Sequence, residues 1–187
     1  NRSSGIDVRR MVGTELEYIF YVCKSLFDLL QKVISYLWKR IDIKELKRLK
    51  KTNLPYRFSE MAMKGNMTKT IRSIEEIQNK YQIPWELAKI YHKNSRFFEW
   101  LRAYRHKIDH QTGEFGFIVV TEKGFEISIE ESPFKDMPIW SSTNTIPSNL
   151  GSVKSVVSYI ISSTFDAFEE AITFFRTRTD FPADVVP

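Results

Sequence analysis

The side chains best suited to acid–base chemistry lie in one segment, Trp85–His110, which contains all three histidines of the chain. Turned as a helix at about 100° per residue, this segment has an apolar side and a polar side. The apolar side carries Phe97, Leu101, Tyr104 and Ile108. The polar side carries Glu99, Arg102, His106 and His110. A stripe of this kind is most often a solvated helix face, so its composition alone does not predict a site.

Metal binding is the first chemistry to weigh for this stripe, because His106 and His110 are four residues apart and could share one ion. The HExxH arrangement is absent, and the one cysteine, Cys23, is far away in sequence. The chain also lacks GxGxxG, a Walker loop and GxSxG, which argues against nucleotide-fold, NTPase and hydrolase functions. We therefore expect neither a metal site nor a cofactor.

A more specific signal is the run RHKIDH, Arg105–His110, in which an arginine and a polar residue are followed, after three further residues, by a histidine. This run resembles the motif of the HEPN superfamily, whose helical-bundle members include RNA-cleaving toxins and phage-defence proteins. The segment Lys24–Gln31, KSLFDLLQ, is similar to the first helix of that family, and the motif falls near the end of the third major helix. The chain departs from the family in the hairpin and long loop after the motif, and in His106, where Asn or Asp is commoner.

The resemblance implies an endoribonuclease that acts as a toxin or host-defence effector, with Arg105 and His110 catalytic and His106 as the intervening polar residue. These residue types suit RNA cleavage without a metal or another cofactor. An imidazole can move a proton at the ribose 2′-OH or the departing 5′-oxygen, and a guanidinium can hold the phosphate through two hydrogen bonds. The expected substrate contacts are Arg102, Lys107, Asp109 and the basic run Lys44–Lys51.

Composition and charge limit the class of protein. A net charge of +5 is compatible with an anionic partner such as RNA. A single cysteine excludes an internal disulfide and fits a reducing compartment, so we expect a cytoplasmic protein. The longest apolar stretch, Tyr18–Trp38, carries Lys24, Asp28 and Lys32, so it predicts a helix of a soluble protein and no membrane contact.

The elements that must position the motif are mostly helices. Apolar spacing predicts a first helix over Val12–Ile41, a second over Thr68–Tyr81, a third over Trp85–His110 and a last one over Leu150–Arg178. One apolar face of the first helix is predicted from Tyr18, Val22, Leu26, Leu29, Leu30, Val33 and Leu37. Phe20, Phe27, Ile34 and Trp38 widen this apolar band, so we expect the helix to pack on two partners. The inward face of the last helix is predicted as Val153, Val157, Ile160, Ile161, Phe165, Phe168, Ile172 and Phe175. A β-hairpin over about 115–131 and a long loop over 132–149 separate the motif from the last helix.

Together these features predict one mainly α domain over 1–187, an antiparallel bundle of about four long helices with one inserted β-hairpin. We also expect a homodimer, because the first helix is apolar on more than one face. On an ideal helix Arg105 and His110 diverge by about 140°, and HEPN proteins commonly place two motifs across a two-fold axis. The sequence leaves two alternatives open: a non-catalytic HEPN-like module that binds RNA, nucleotide or protein, and a structural bundle in which RHKIDH is fortuitous. An antitoxin or other protein partner is also possible.

Overall fold

The computed structural model describes residues 3–40, 52–65, 70–110, 118–130, 134–135, 137–141, 145–146 and 149–178, but not the side chains of 3–7, 106–110 and 146. The fold is mainly helical, as predicted. The helices are α1 (Ser3–Arg40), α2 (Phe58–Ala62), α3 (Ile74–Tyr81), α4 (Trp85–His110) and α5 (Val153–Arg178). None of the helices in these ranges has both the length and the apolar character that crossing a membrane requires.

The start of α3 corrects the second predicted helix. Thr68–Tyr81 was expected to be helical throughout, but Thr70–Ile71 forms a strand, β2, that pairs antiparallel with β1 (Met63–Lys64). The helix begins after Ser73, whose hydroxyl accepts a hydrogen bond from the backbone N–H of Glu76 at 3.2 Å. The Glu76 carboxylate accepts one from the Ser73 N–H at 2.9 Å. This reciprocal capping box fixes the boundary more strongly than the apolar spacing does.

The predicted hairpin is present and belongs to a larger sheet. Its strands are β3 (Ile118–Thr121) and β4 (Gly124–Ser128), and Gly124 adopts a φ of 113° that favours glycine. Two further strands, β5 (Thr145–Ile146) and β6 (Leu150–Ser152), extend it to an antiparallel sheet with the order β3-β4-β6-β5. The loop predicted over 132–149 therefore contains β5. The last helix was predicted to begin at Leu150, but the residues Leu150–Ser152 form β6 and the helix begins at Val153.

The described residues form two compact units. The first comprises Asn1–Lys24 and Trp100–Ser163, and the second comprises Ser25–Glu99 and Thr164–Pro187. The core of the first unit is aromatic: the Phe20 ring lies 4.0 Å from the Tyr104 ring and 5.1 Å from the Trp100 ring, centroid to centroid. The single domain over 1–187 stays a prediction.

The second unit has its own aromatic core with a buried polar network inside it. The Phe58 ring packs within 5.0 Å of Phe27 and 4.9 Å of Phe98. Beside them the Tyr91 hydroxyl donates to Oε1 of Gln31 at 2.7 Å, while Nε2 of Gln31 donates to the Pro55 carbonyl at 2.7 Å. Because the side chains of Tyr91 and Gln31 are fully buried, each depends on this network for its hydrogen bonds.

The apolar face identified by spacing in the first helix is mostly its exposed face. Among its members only Leu30 is buried, Leu26 and Leu37 are half-buried, and Tyr18, Val22, Leu29 and Val33 are exposed. The buried face is Leu16, Phe20, Cys23, Phe27, Leu30, Ile34 and Trp38. Both faces repeat at helical spacing, and the buried one carries Phe20, Phe27 and Trp38, large side chains that bury much apolar area.

The inward face predicted for the last helix is partly wrong. Val153, Ile160 and Phe175 are buried and Val157 and Phe168 are half-buried, but Ile161, Phe165 and Ile172 are exposed. The buried face also includes Val156 and Phe174 and three small side chains, Thr164, Ala167 and Ala171. Small residues let a neighbouring element approach the helix closely, a role that apolar spacing alone does not reveal.

Candidate functional site

The C-terminal half of α4 positions the motif. Its predicted core residues Phe97, Leu101 and Tyr104 are buried, which confirms that part of the apolar side. On the polar side, Glu99 and Arg102 are half-buried, so in its described part the stripe is not a fully solvated face. Nε of Arg102 is buried and makes no hydrogen bond to any residue in the described ranges. A buried donor without a partner among the described residues costs free energy, which makes Arg102 a candidate for function.

Arg105 is the motif residue whose side chain the structure places. It is half-buried, and its guanidinium carbon lies 4.9 Å from the ring centroid of Tyr21 on α1. A guanidinium over an aromatic face gains a cation–π attraction. Tyr21 therefore restricts the position of the Arg105 guanidinium, which is planar.

Glu17 lies one helical turn before Tyr21, a spacing that puts both side chains on one face of α1. Burial raises the pKa of the Glu17 carboxyl. Burial also raises the pKa of the Tyr104 hydroxyl, and the charge of Glu17 raises it further. The sequence reasoning missed Glu17. Its spacing from Tyr21 is a signal that becomes informative only once Tyr21 is known to hold Arg105.

A second acidic residue that the sequence reasoning missed is Glu126 on β4. It is only 3% exposed, and its Oε2 makes no hydrogen bond within the described part of the chain. Leaving a polar atom buried without a partner costs free energy, so such a group is a candidate for function. Its flanking residues in the sheet, Val119 and Ser152, offer no basic side chain.

The structure does not test the roles predicted for the other site residues. The backbone of α4 continues to His110, five residues beyond Arg105. The side chains of His106, Lys107, Asp109 and His110 lie outside the described residues, as do Ile108 on the predicted apolar side and the basic run Lys44–Lys51. Their roles stay predictions. The third histidine, His92, is exposed in the second unit, where its Nδ1 lies 2.8 Å from the carbonyl oxygen of Arg72.

The second unit carries a groove of about 520 Å³ between the first half of α4 and the second half of α5. Several of its charged groups pair with one another. Lys93 donates a hydrogen bond to the Glu170 carboxylate, and this ion pair raises the pKa of Lys93. Arg178 forms a salt bridge with Glu86 at 3.0 Å. These ion pairs are accessible to solvent and carry both signs of charge. The groove is therefore a surface of mixed charge and does not select a ligand by its charge.

Within the described residues, no three His, Cys, Asp or Glu side chains come together as a metal ion would need. The arrangement that stands out chemically is a planar cation held on an aromatic ring, with a carboxyl of raised pKa one helical turn away. Comparison with models of protein families, with curated proteins and with solved structures finds no match to this chain.

Proposed function

We propose that this protein is a metal-independent endoribonuclease of the HEPN type, acting as a toxin or host-defence effector. The observation that carries the proposal is the position of the Arg105 guanidinium over the Tyr21 ring, 4.9 Å from its centroid, in a helix that continues to His110. A guanidinium is planar, and its fork of donors matches two oxygens of a phosphodiester. Arg105 then binds the scissile phosphate, and His110 transfers the proton.

The reaction uses the RNA's own 2′-hydroxyl. Its oxygen forms a bond to phosphorus while the bond from phosphorus to the 5′-oxygen breaks, which leaves a 2′,3′-cyclic phosphate and a 5′-hydroxyl. One imidazole of the pair His106 and His110 accepts the proton of the 2′-hydroxyl, and the other, protonated, donates a proton to the departing 5′-oxygen, so one proton is lost and one is gained. Arg102, Lys107, Asp109 and the run Lys44–Lys51 contact the rest of the RNA.

A homodimer completes the site in this proposal. One ideal helix turns Arg105 and His110 about 140° apart, so a single copy does not direct both side chains at one phosphate. Two copies related by a two-fold axis bring two motifs into one cleft. An antitoxin or another protein that covers such a cleft would inhibit it, and a cytoplasmic location gives the enzyme access to RNA.

A second candidate is a non-catalytic HEPN-like module that binds RNA, nucleotide or protein. The observation that favours it is the exposed apolar side of α5, where Phe165 is 65% and Ile172 is 61% exposed. Exposed apolar side chains grouped on one helix face are typical of interaction surfaces. A structural bundle without a ligand is the remaining alternative.

The test is incubation of the purified chain with an end-labelled RNA pool in EDTA, next to the Arg105→Ala and His110→Ala variants. We expect cleavage by the unaltered protein, products with cyclic phosphate ends, and loss of cleavage in both variants. DNA of the same sequence should stay intact because it lacks the 2′-hydroxyl. RNA that is bound and left uncut would favour the second candidate.

A further inference from the structure

Exposed basic and aromatic side chains lie together at the C-terminal end of α1, in the second unit. Tyr36 is 52% exposed, and the guanidinium carbon of Arg40 lies 4.2 Å from its ring centroid. Tyr56 is 58% exposed, and Nζ of Lys39 lies 5.4 Å from its ring centroid. Lys39 also donates a hydrogen bond to the Tyr56 hydroxyl at 3.2 Å. Each ring therefore has a cation beside it, and we call these four residues the tyrosine–cation surface.

Buried hydrogen bonds hold Tyr56 beside α1. The carbonyl of Pro55, the residue before it, accepts from Nε2 of Gln31 at 2.7 Å and from the Ser35 hydroxyl at 2.9 Å. The side chains of Gln31 and Ser35 are fully buried, so this contact belongs to the interior of the second unit. It fixes the backbone of Tyr56 against the helix that carries Tyr36, which reduces the entropy lost when the rings are ordered against a ligand.

The charge of this region has one sign. Its exposed cations are Lys32, Lys39, Arg40 and Arg57. The stretches Gln31–Arg40 and Thr52–Ser59 contain no aspartate or glutamate, and no carboxylate of the described residues forms a salt bridge with these cations. The dipole of α1 favours cations in its last turn, which accounts for Lys39 and Arg40 but not for the two exposed rings. Cations without neutralising partners favour an anionic ligand.

Aromatic rings combined with cations match the two parts of a nucleic-acid strand. Bases stack on the rings, and the cations contact the phosphates. In a duplex the faces of the bases are covered by the neighbouring base pairs, so stacking of this kind selects a single strand. An acidic peptide would pair with the cations and leave both exposed rings without a role.

We propose that the tyrosine–cation surface binds single-stranded RNA, with bases stacked on Tyr36 and Tyr56 and backbone phosphates on Lys39 and Arg40. The inference rests on the proposed function for the choice of RNA over DNA. It deepens that function by naming single-stranded RNA as the substrate class and by adding a contact surface in the second unit to the motif of the first.

The first experiment measures binding of a fluorescein-labelled oligouridylate of about 12 nucleotides to the full chain by fluorescence anisotropy. Its riboses carry 2′-O-methyl groups, so cleavage through the 2′-hydroxyl is impossible and binding is measured alone. We expect Tyr36→Ala and Tyr56→Ala each to raise the dissociation constant roughly 5- to 150-fold, as the loss of one stacked base does. Tyr36→Phe and Tyr56→Phe keep the ring and should stay within about 2-fold of the unaltered protein.

Tyr18→Ala is the matched control for the rings. Tyr18 is 65% exposed on α1 in the first unit, but Glu15 and Glu17 are its charged neighbours, so it offers a ring without cations. Its removal should leave the dissociation constant unchanged. Circular dichroism shows whether each variant folds. Unchanged affinity in both folded alanine variants of the tyrosine–cation surface would overturn the proposal.

The second experiment tests the phosphate contacts through the salt dependence of binding. Lys39→Gln and Arg40→Gln should each reduce the slope of the logarithm of the dissociation constant against the logarithm of salt concentration by about 0.7, the value for one phosphate contact to a single strand. Lys89→Gln removes an exposed cation of the same unit, in the groove of mixed charge, and should leave the slope unchanged. Equal slopes in all three variants would contradict the proposed contacts.

The third experiment tests the partner. A 2′-O-methyl RNA duplex with strands of the same length should compete at least ~10-fold more weakly than the single strand. Equal competition, or no binding of the oligouridylate, would overturn the proposal. Capture by vesicles that contain phosphatidylserine, lost in Tyr36→Ala while RNA does not bind, would assign the surface to a membrane instead.

Failure of this proposal and failure of the proposed function give different results. Unmodified RNA that binds through Tyr36 and Tyr56 and stays uncut would contradict the ribonuclease and support this surface. RNA that is cleaved by the unaltered protein, with equal affinity in Tyr36→Ala and Tyr56→Ala, would support the ribonuclease and overturn this surface.

Discussion

The guanidinium carbon of Arg105 lies 4.9 Å from the centroid of the Tyr21 ring, although the two residues are far apart in sequence. Tyr21 belongs to α1 and Arg105 to α4, so the aromatic ring ties the last turns of α4 to the first half of α1 in the same unit. The contact restricts the conformations of a long side chain. If RNA binds here, part of the entropy of ordering Arg105 is already lost before the phosphate arrives.

We predict that Tyr21→Ala weakens RNA binding while Tyr21→Phe preserves it. The alanine variant removes the ring that orders Arg105, and a cation–π contact of about 0.5–2 kcal/mol corresponds to roughly a 2- to 30-fold change in affinity. The phenylalanine variant keeps the ring and loses only the hydroxyl. Fluorescence anisotropy with a labelled single-stranded RNA measures both dissociation constants. Equal affinity of the alanine variant and the unaltered protein would separate Tyr21 from the site.

A second prediction concerns the pH dependence of stability through Glu17. Burial raises the pKa of this carboxyl in the folded protein, so the folded chain holds the proton more tightly than the unfolded chain. The stabilising contribution is complete below the pKa of the unfolded chain, about 4.5, and is lost as pH rises through the raised pKa. Glu17→Gln should therefore raise the Tm at pH 7 by about 1–3 °C and leave it almost unchanged at pH 4.

Thermal unfolding followed by circular dichroism at both pH values measures the effect. Glu122→Gln, in the exposed turn of the hairpin, removes the same charge without the burial and serves as the control. A Glu17→Gln variant with a lower Tm at pH 7 would show that the ionised carboxylate makes a stabilising contact in the folded state.

The sequence was sufficient for the elements with strong local signals. α4 begins and ends where Pro84, the apolar period and the motif placed it, and the turn before Gly124 matched the hairpin prediction. The strands β5 and β6 were missed because each has only two or three residues, too few for a period. At Gly151 on β6, an added Cβ would clash with the Trp140 ring, so the need for glycine comes from a tertiary contact. The residues around Gly151 in the sequence give no signal of such a contact.

Only part of the candidate site was predictable from sequence, because the site also depends on a contact between residues that are distant in the chain. The motif identified Arg105 from the order of residue types, but its partner Tyr21 is distant in sequence and has no periodic relation to it. Spacing did not show which face of α1 is buried, because both faces repeat apolar residues at helical spacing. The buried face carries Phe20, Phe27 and Trp38, whereas the aromatic residues of the exposed face are Tyr18 and Tyr36, whose hydroxyls remain in water.

A third prediction tests the buried polar network of the second unit. The Tyr91 hydroxyl donates to Gln31 at 2.7 Å, and both side chains are fully buried. Tyr91→Phe leaves Oε1 of Gln31 without this donor, so the free energy of unfolding should fall by about 1–3 kcal/mol. Tyr56→Phe is the control, because Tyr56 is 58% exposed and water replaces its hydrogen bond to Lys39. Urea unfolding measures both, and equal losses would show that the network does not stabilise the fold.

The last prediction separates the two motif residues by their chemistry. His110→Ala removes the group that transfers the proton, so cleavage of a defined RNA should fall by about 10²- to 10⁴-fold. Arg105→Lys keeps the positive charge but loses the planar, two-point donor and the stacking on Tyr21, so it should also be strongly impaired at unchanged net charge. Arg96→Lys, exposed on α4, makes the same exchange away from the motif and should cleave normally. Circular dichroism shows whether each variant folds. Undiminished cleavage by a folded His110→Ala protein would show that the motif is not the active site, and loss of cleavage in EDTA would overturn the metal-independent mechanism.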